Sequence, residues 1–258
     1  MIKVQKKDFF YFFLCIYISS TFASENKIRN ESISDLPIFT FSDINPSFHL
    51  IAIIGGKGLR NKEGRSKNFL NRTREIFVNN GSIFYLFPNK NERYNASYRN
   101  RLSDDRLSRI KKLVDFIRLR DKKPIFLIGF SRGSVDLAGY IKNYPSSIDG
   151  AIIVSGIYQN LTKKAKNYSM EKIINEVVNV DLLIVHHEKD KCEVTEYQFA
   201  LKFFQKLRSK TKKILSYKDG EGTGRKCGPF NYHGMEVIEK KVALDISKWI
   251  NKHIKEAH

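Results

Sequence analysis

One stretch constrains this 258-residue chain more than any other: Lys123-Pro-Ile-Phe-Leu-Ile-Gly-Phe-Ser-Arg-Gly-Ser-Val-Asp-Leu-Ala138. Ile125 to Ile128 is an unbroken apolar run of strand length, and it stops at Gly129-Phe130-Ser131-Arg132-Gly133. Val135, Ala138 and Ile141 then recur at helical spacing. A strand, a sharp turn and a helix are predicted. Crowding in such a turn leaves no room for side chains two residues before and after its apex, which accounts for Gly129 and Gly133. A serine at that apex is the nucleophile elbow of G-x-S-x-G, with the backbone N–H of Arg132, free at a helix N-terminus, pointing where an oxyanion would form. Five residues with two glycines and a serine also occur by chance, and a plain strand-to-helix turn is the competing reading. The buried strand before the motif and the helix after it favour the elbow.

The rest of the chain alternates around this unit. Phe48 to Ile54 reads as a strand, Asn68 to Val78 as a helix, Ser82 to Phe87 as a strand and Leu102 to Leu119 as a helix with Leu102, Leu107, Ile110, Leu113, Val114 and Ile117 on one face. After the elbow helix come a strand at Asp149 to Ser155 and a short polar insertion over residues 157–180, helical near Ile173 to Val178. A strand at Asp181 to His187, a helix at Thr195 to Leu207, a strand at Lys213 to Tyr217 and a closing helix at Gly234 to Ile254 complete the pattern. This is an α/β chain with a mostly parallel sheet, helices on both faces and a minimal cap. With 41% apolar residues it has enough material for a sizeable core in one domain, expected over residues 48–258. Residues 24–47 read as a polar leader segment into that domain, with at most an edge strand near Ile38 to Phe41.

In such sheets ligands bind at the carboxyl ends of the strands. The residues that follow each strand are therefore the candidates for chemistry. Ser131, Asp190 and His233 run in that order, with Asp190 just after one strand and His233 just before the closing helix. A hydroxyl is a poor nucleophile at neutral pH and needs a base in reach: His233 would take its proton, and Asp190 would fix the imidazole tautomer. Glu188 competes with Asp190, which is favoured because a few loop residues are needed to turn an acid back toward the elbow. His186 and His187 raise the question of a metal site, but neighbouring residues at a strand end point to opposite faces, so no metal is expected. Gly55-Gly56-Lys57-Gly58 lacks the spacing of a phosphate loop. Its place after the strand flanking the elbow suits a second oxyanion donor, a backbone N–H near Gly56 or Lys57 paired with that of Arg132. No cofactor is expected.

The first 23 residues read as a secretory signal peptide. Lys3, Lys6 and Lys7 precede the apolar run Phe9 to Ile18, and small residues follow up to a cleavage point near Ala23. An uncleaved anchor is the alternative, although the run is short for a membrane span. Periplasmic or secreted localisation is the expectation. Cys15 would leave with the signal, and the remaining pair, Cys192 and Cys227, in an oxidising compartment points to a disulfide rather than two unrelated thiols. Such a bridge would tie the Asp190 loop to the glycine-rich loop before His233. The net charge of +19 falls to +17 when three lysines and Asp8 leave with the signal. The basic residues are spread along the chain without a nucleic-acid motif, so solvated helix faces are expected, with weak adhesion to anionic surfaces as a minor partner role.

Five segments carry a resemblance to a known family. They are Gly55-Gly56-Lys57-Gly58, Asn68-Phe-Leu-Asn-Arg-Thr-Arg74, Gly129-Phe-Ser-Arg-Gly133, His186-His187-Glu-Lys-Asp-Lys-Cys192 and Cys227-Gly-Pro-Phe-Asn-Tyr-His-Gly234. Over about residues 48–254 the chain resembles the α/β-hydrolase superfamily, and within it small exported bacterial serine hydrolases. The resemblance implies the α/β-hydrolase fold, a Ser131, Asp190, His233 triad and a Cys192 to Cys227 bridge. Similar proteins often carry a small or neutral residue where Lys57 stands. The expected activity is hydrolysis of an ester, thioester or related acyl bond of a small-molecule or acyl substrate through an acyl-enzyme. The rival expectations are a peptidase or amidase on the same triad and a non-catalytic binding protein that keeps the fold.

Overall fold

A computed structural model describes residues 24–257 except 31, 160, 161, 163, 164, 175, 176 and 210. The signal peptide expected at residues 1–23 lies outside the described residues. The elements run β1 (Ser24–Asn30), β2 (Ser34–Ser42), β3 (Phe48–Ile53), α1 (Phe69–Arg72), α2 (Arg74–Val78), β4 (Ser82–Leu86), α3 (Tyr98–Arg101), α4 (Asp104–Arg118) and β5 (Ile125–Phe130). They continue α5 (Gly133–Asn143), β6 (Gly150–Val154), α6 (Met170–Ile173), β7 (Val177–Val178), β8 (Leu182–His187), α7 (Tyr197–Lys206), β9 (Arg208–Ser209), β10 (Lys212–Tyr217) and α8 (Glu239–Ala257).

Eight strands form one sheet in the order β1-β2-β4-β3-β5-β6-β8-β10, parallel from β4 through β10 and antiparallel at β1 and β2. The central strands are buried on both faces, which is why they read as unbroken apolar runs. Alternate residues serve opposite cores. Ile125 and Leu127 join Ile51, Ile53, Leu182 and Ile184 under α4, α5 and α7. Phe126, Ile128 and Phe130 join Leu50, Ala52, Leu183 and Val185 under α1, α2 and α8. Helices therefore cover both faces of a mostly parallel sheet, as the alternation predicts.

Four details differ from the sequence reading. Residues 24–42 are not a leader outside the domain: they supply β1 and β2, and Leu36, Ile38, Phe39 and Phe41 are buried. Pro37 sits in β2 where the strand pairs only with β1, and pairing with β4 begins beyond it at Phe39, so the missing N–H disturbs no second ladder. The helix expected from Asn68 to Val78 breaks at Thr73, whose hydroxyl donates to the Phe69 carbonyl at 2.9 Å. The closing helix begins at Glu239 rather than Gly234, because Met235 (φ 58°) and Val237 (φ 72°) hold left-handed conformations that a right-handed helix cannot pass through. In the insertion the helix lies at Met170–Ile173, and Val177 and Val178 pair instead with β9 as a small parallel ladder. Helix α4 starts at Asp104 because the Ser103 side chain caps it, accepting from the Arg106 N–H, with Asp104 and Asp105 in the first turn.

Candidate active site

The elbow is built from backbone crowding. Ser131, with φ 53°, turns the chain from β5 into α5 in a conformation that a non-glycine residue adopts only when its surroundings enforce it. A Cβ on Gly129 would meet the Gly133 carbonyl oxygen at 2.7 Å, and one on Gly133 would overlap the Ile53 carbonyl of the neighbouring strand. Gly55 is held to glycine by the same turn: its Cβ would lie 2.8 Å from the Phe130 oxygen and 2.9 Å from the Ser131 Cβ. Three glycines thus let β3, β5 and α5 close around the serine. The Ser134 hydroxyl donates to the Ser131 carbonyl at 2.7 Å and receives the Ile157 N–H, locking the first turn of α5 to the next loop.

His233 and Asp190 meet beside this turn. Asp190 Oδ2 lies 2.9 Å from His233 Nδ1, with both side chains buried. A carboxylate can only accept, so in the neutral imidazole Nδ1 carries the proton and Nε2 the lone pair. Asp190 also accepts from the Cys192 N–H at 2.9 Å and from the Thr195 hydroxyl at 2.9 Å, and His186 Nε2 stands 3.4 Å from Oδ2. Burial alone would raise this carboxyl; the facing His233 and His186 overcome it and hold Asp190 well below the usual carboxylate range. Glu188, the competing acid, pairs outward with Lys218 at 3.7 Å. The adjacent histidines face apart: His186 Nε2 donates to the Thr195 carbonyl at 2.6 Å, whereas His187 Nε2 donates to that of Asp219 at 2.6 Å and its ring packs on Tyr232.

Ser131, Arg132, Gly56, Lys57 and His233 line one cavity of about 590 Å³, together with Cys192 and Cys227. Among the described residues no hydrogen bond joins Ser131 to His233, a separation common in unliganded sites whose contacts tighten around substrate. The backbone N–H groups of Arg132, Gly56 and Lys57 have no intramolecular acceptor among the described residues. Gly55 brings the glycine loop against the elbow, its Cβ position lying 3.4 Å from the Arg132 nitrogen. Cys192 and Cys227 are joined as a disulfide, 35 residues apart, that ties the acid loop to the histidine loop.

Several side chains that support this arrangement are absent from the sequence reading. Thr195 Oγ1 bridges Asp190 Oδ2 at 2.9 Å and His233 Nδ1 at 3.0 Å. Arg72 holds the histidine loop through the carbonyls of Pro229 at 3.1 Å and Gly234 at 3.0 Å, with its guanidinium over the Phe230 ring and Glu239 at 3.6 Å. The Ser155 hydroxyl donates to the His233 carbonyl at 2.8 Å. Beneath the glycine loop lies a fully buried ionic hub. Asp136 of α5 pairs with Arg101 and Arg106, and Arg101 also donates to the carbonyls of Ile54 at 3.1 Å and Gly56 at 3.2 Å. The segment Asn68 to Arg74, read as the start of a helix and as part of a resemblance, contains Arg72; nothing in its spacing marks the loop it would reach.

No protein-family model matches the sequence, and no curated protein matches it. Solved structures do. An esterase of Pyrococcus furiosus superposes with a TM-score of 0.64 at 11% identity, over 91% of this chain and 92% of that one. A dienelactone hydrolase of Anabaena variabilis gives 0.61 at 10% identity, over 89% and 98%. Oligopeptidase B of Leishmania major gives 0.61 at 14% identity, over 90% of this chain and 36% of that larger protein. At these identities the likeness speaks for architecture alone. The chain has the α/β-hydrolase fold.

Proposed function

We propose that this chain is an exported serine hydrolase that cleaves an ester, thioester or related acyl bond through an acyl-enzyme on Ser131. The observation that carries the reading is the buried Asp190 to His233 contact of 2.9 Å in the wall of the cavity that also holds the strained Ser131. In this reading His233 Nε2 takes the Ser131 proton as Oγ adds to the carbonyl carbon. The oxyanion receives the N–H of Arg132 and of Gly56 or Lys57, and Asp190 stabilises the imidazolium. His233 then gives the proton to the leaving group, and water, activated by the same imidazole, releases the acyl group. Thr195 and the disulfide hold the acid and the base in register.

Labelling with a fluorophosphonate probe tests it. Wild type is expected to label in a single band that Ser131→Ala abolishes and His233→Ala reduces by about a thousandfold or more in rate. Folded wild type that does not label sinks the proposal. An amide bond is the second reading, supported by the same fold in oligopeptidase B; relative kcat/KM on matched ester and amide substrates decides between the two. A protein that keeps the fold for binding alone would fail both assays.

Export rests on the basic start and apolar run of residues 1–23, and the Cys192 to Cys227 disulfide is in keeping with an oxidising compartment. Mass spectrometry of the chain produced in a bacterial host is expected to find a mature N-terminus near Ser24. An intact Met1 on protein confined to the cytosol overturns this part. Weak adhesion to anionic surfaces, read from the +17 charge of the mature chain, would decline with added salt and survive Ser131→Ala.

A further inference from the structure

A second cavity, of about 370 Å³, adjoins the first. It is lined by Lys189, Lys191, Lys226, Asn231 and Tyr232. Lys191 precedes Cys192 and Lys226 precedes Cys227, and both cysteines line the Ser131 cavity. The two cysteines of the disulfide thus line the Ser131 cavity, and the residues just before them in sequence line the second.

The lining is chemically one-sided. None of the three lysines has a carboxylate within 4 Å among the described residues; other exposed lysines, such as Lys202, Lys213 and Lys240, share that state, and what sets these three apart is that they line one cavity. No acid lines this cavity. Glu188 is engaged by Lys218, and Asp190 is buried against His233. The Tyr232 hydroxyl has no hydrogen-bond partner among the described residues. Its ring is fixed between His187, with centroids 4.7 Å apart, and Lys189, whose Nζ lies 5.5 Å over the centroid. Asn231 donates to the Gly224 carbonyl at 2.8 Å and so holds the floor. Three ammonium groups and a phenol therefore converge on one concavity with no internal counter-charge, an arrangement that self-repels until an anion enters.

We propose that this pocket is an anion subsite, taking a phosphate or carboxylate group, and that the anion is carried by the acyl substrate whose reacting carbonyl sits at Ser131. The assignment to substrate rests on the hydrolase reading given above; the anion site itself does not. A multiply charged group that reaches this pocket would meet Lys189, Lys191 and Lys226 with Tyr232.

The test has two arms, each run on wild type and on the triple variant Lys189→Gln/Lys191→Gln/Lys226→Gln. In the first, kcat/KM is measured for 4-nitrophenyl monoesters of dicarboxylic acids of increasing chain length, each against the neutral monocarboxylic ester of equal length. The ratio of charged to neutral is expected to peak at one chain length in wild type. It is expected to fall by about tenfold in the triple variant, as about two- to fivefold per exposed charge implies, and to fall with added salt. In the second, inorganic pyrophosphate is titrated calorimetrically; wild type is expected to give a saturable heat that the triple variant loses. An ester ratio that the variant loses assigns the anion to the substrate. Pyrophosphate heat lost by the variant with a flat ester ratio supports the site and assigns it to a free anion. A flat ratio together with no variant-sensitive heat overturns the subsite. Absence of turnover on every ester sinks the hydrolase reading, while the calorimetric arm still decides the subsite.

Discussion

The Cys192 to Cys227 bridge joins residues 35 apart in sequence and closes a loop that contains helix α7, strand β10 and the glycine-rich stretch Asp219 to Lys226. Replacing both cysteines by alanine frees that loop in the unfolded chain. In the chain-entropy treatment this removes about 4 kcal/mol of stability at 25 °C. For a chain of this size each kcal/mol moves the unfolding midpoint by about 2–4 °C, so a loss of about 8–16 °C is expected. The native state loses something further. Asp190 receives the Cys192 N–H, and the glycine-rich loop keeps its own hydrogen bonds, from Thr223 to Glu236 and between Gly224 and both Phe230 and Asn231, so the freed loop stays pinned to the histidine side while its covalent tie to the acid loop is lost. Thermal unfolding followed by circular dichroism, with urea titration for the free energy, measures the first effect. Fluorophosphonate labelling rate at 25 °C, well below the midpoint, measures the second and is expected to fall. A midpoint within about 2 °C of wild type would refute the idea that the bridge contributes through loop closure. An unchanged labelling rate would refute its role in holding the acid and histidine loops.

Two other perturbations probe buried carboxylates, one that the sequence did not announce and one that it did. Asp136→Ala removes the anion between Arg101 and Arg106 and leaves two buried guanidinium groups uncompensated; a loss of about 3–5 kcal/mol in urea denaturation is expected, and one below about 1 kcal/mol would show the hub to be dispensable. Asp190 gives a pH signature. Its folded carboxyl is held below the unfolded value of about 4, so its contribution to stability is fully present above that pH and is lost as pH falls from about 4 through the folded value. The stability difference between wild type and Asp190→Asn should be constant from pH 7 to 5 and shrink below about pH 4; a difference that grows there would reverse the assignment.

The parallel strands of the core and the sharp strand-to-helix turn at Ser131 were legible because each has a local signature: apolar runs for strands buried on both faces, and glycines where the turn is crowded. The antiparallel edge was not. Strand β1, Ser-Glu-Asn-Lys-Ile-Arg-Asn, is largely exposed on both faces and offers neither an apolar run nor clean alternation, while Pro37 argues against a strand in β2. The supporting side chains escaped for a different reason. Arg72 reaches carbonyls more than 150 residues away, and Arg101 reaches Asp136 across 35. A positively charged helix residue in a chain with 46 of them looks solvated until the fold brings its partner. Thr195 likewise carries no motif; only the meeting of its loop with His233 gives its hydroxyl a task.

The crowding around Ser131 has a consequence for how such a protein can diversify. Methyl groups at positions 55, 129 and 133 would each strike a backbone oxygen, and Arg101 fastens the Gly56 carbonyl to the helix that the serine opens. Ser131 and the glycine loop beside it are one mechanical piece with no slack, so neither can be shifted without moving the other. Variation in what is bound has to be found at the rim, in Lys57, Lys67, Thr162 and Glu193 around the mouth, where side chains can change while the turn beneath them stays fixed.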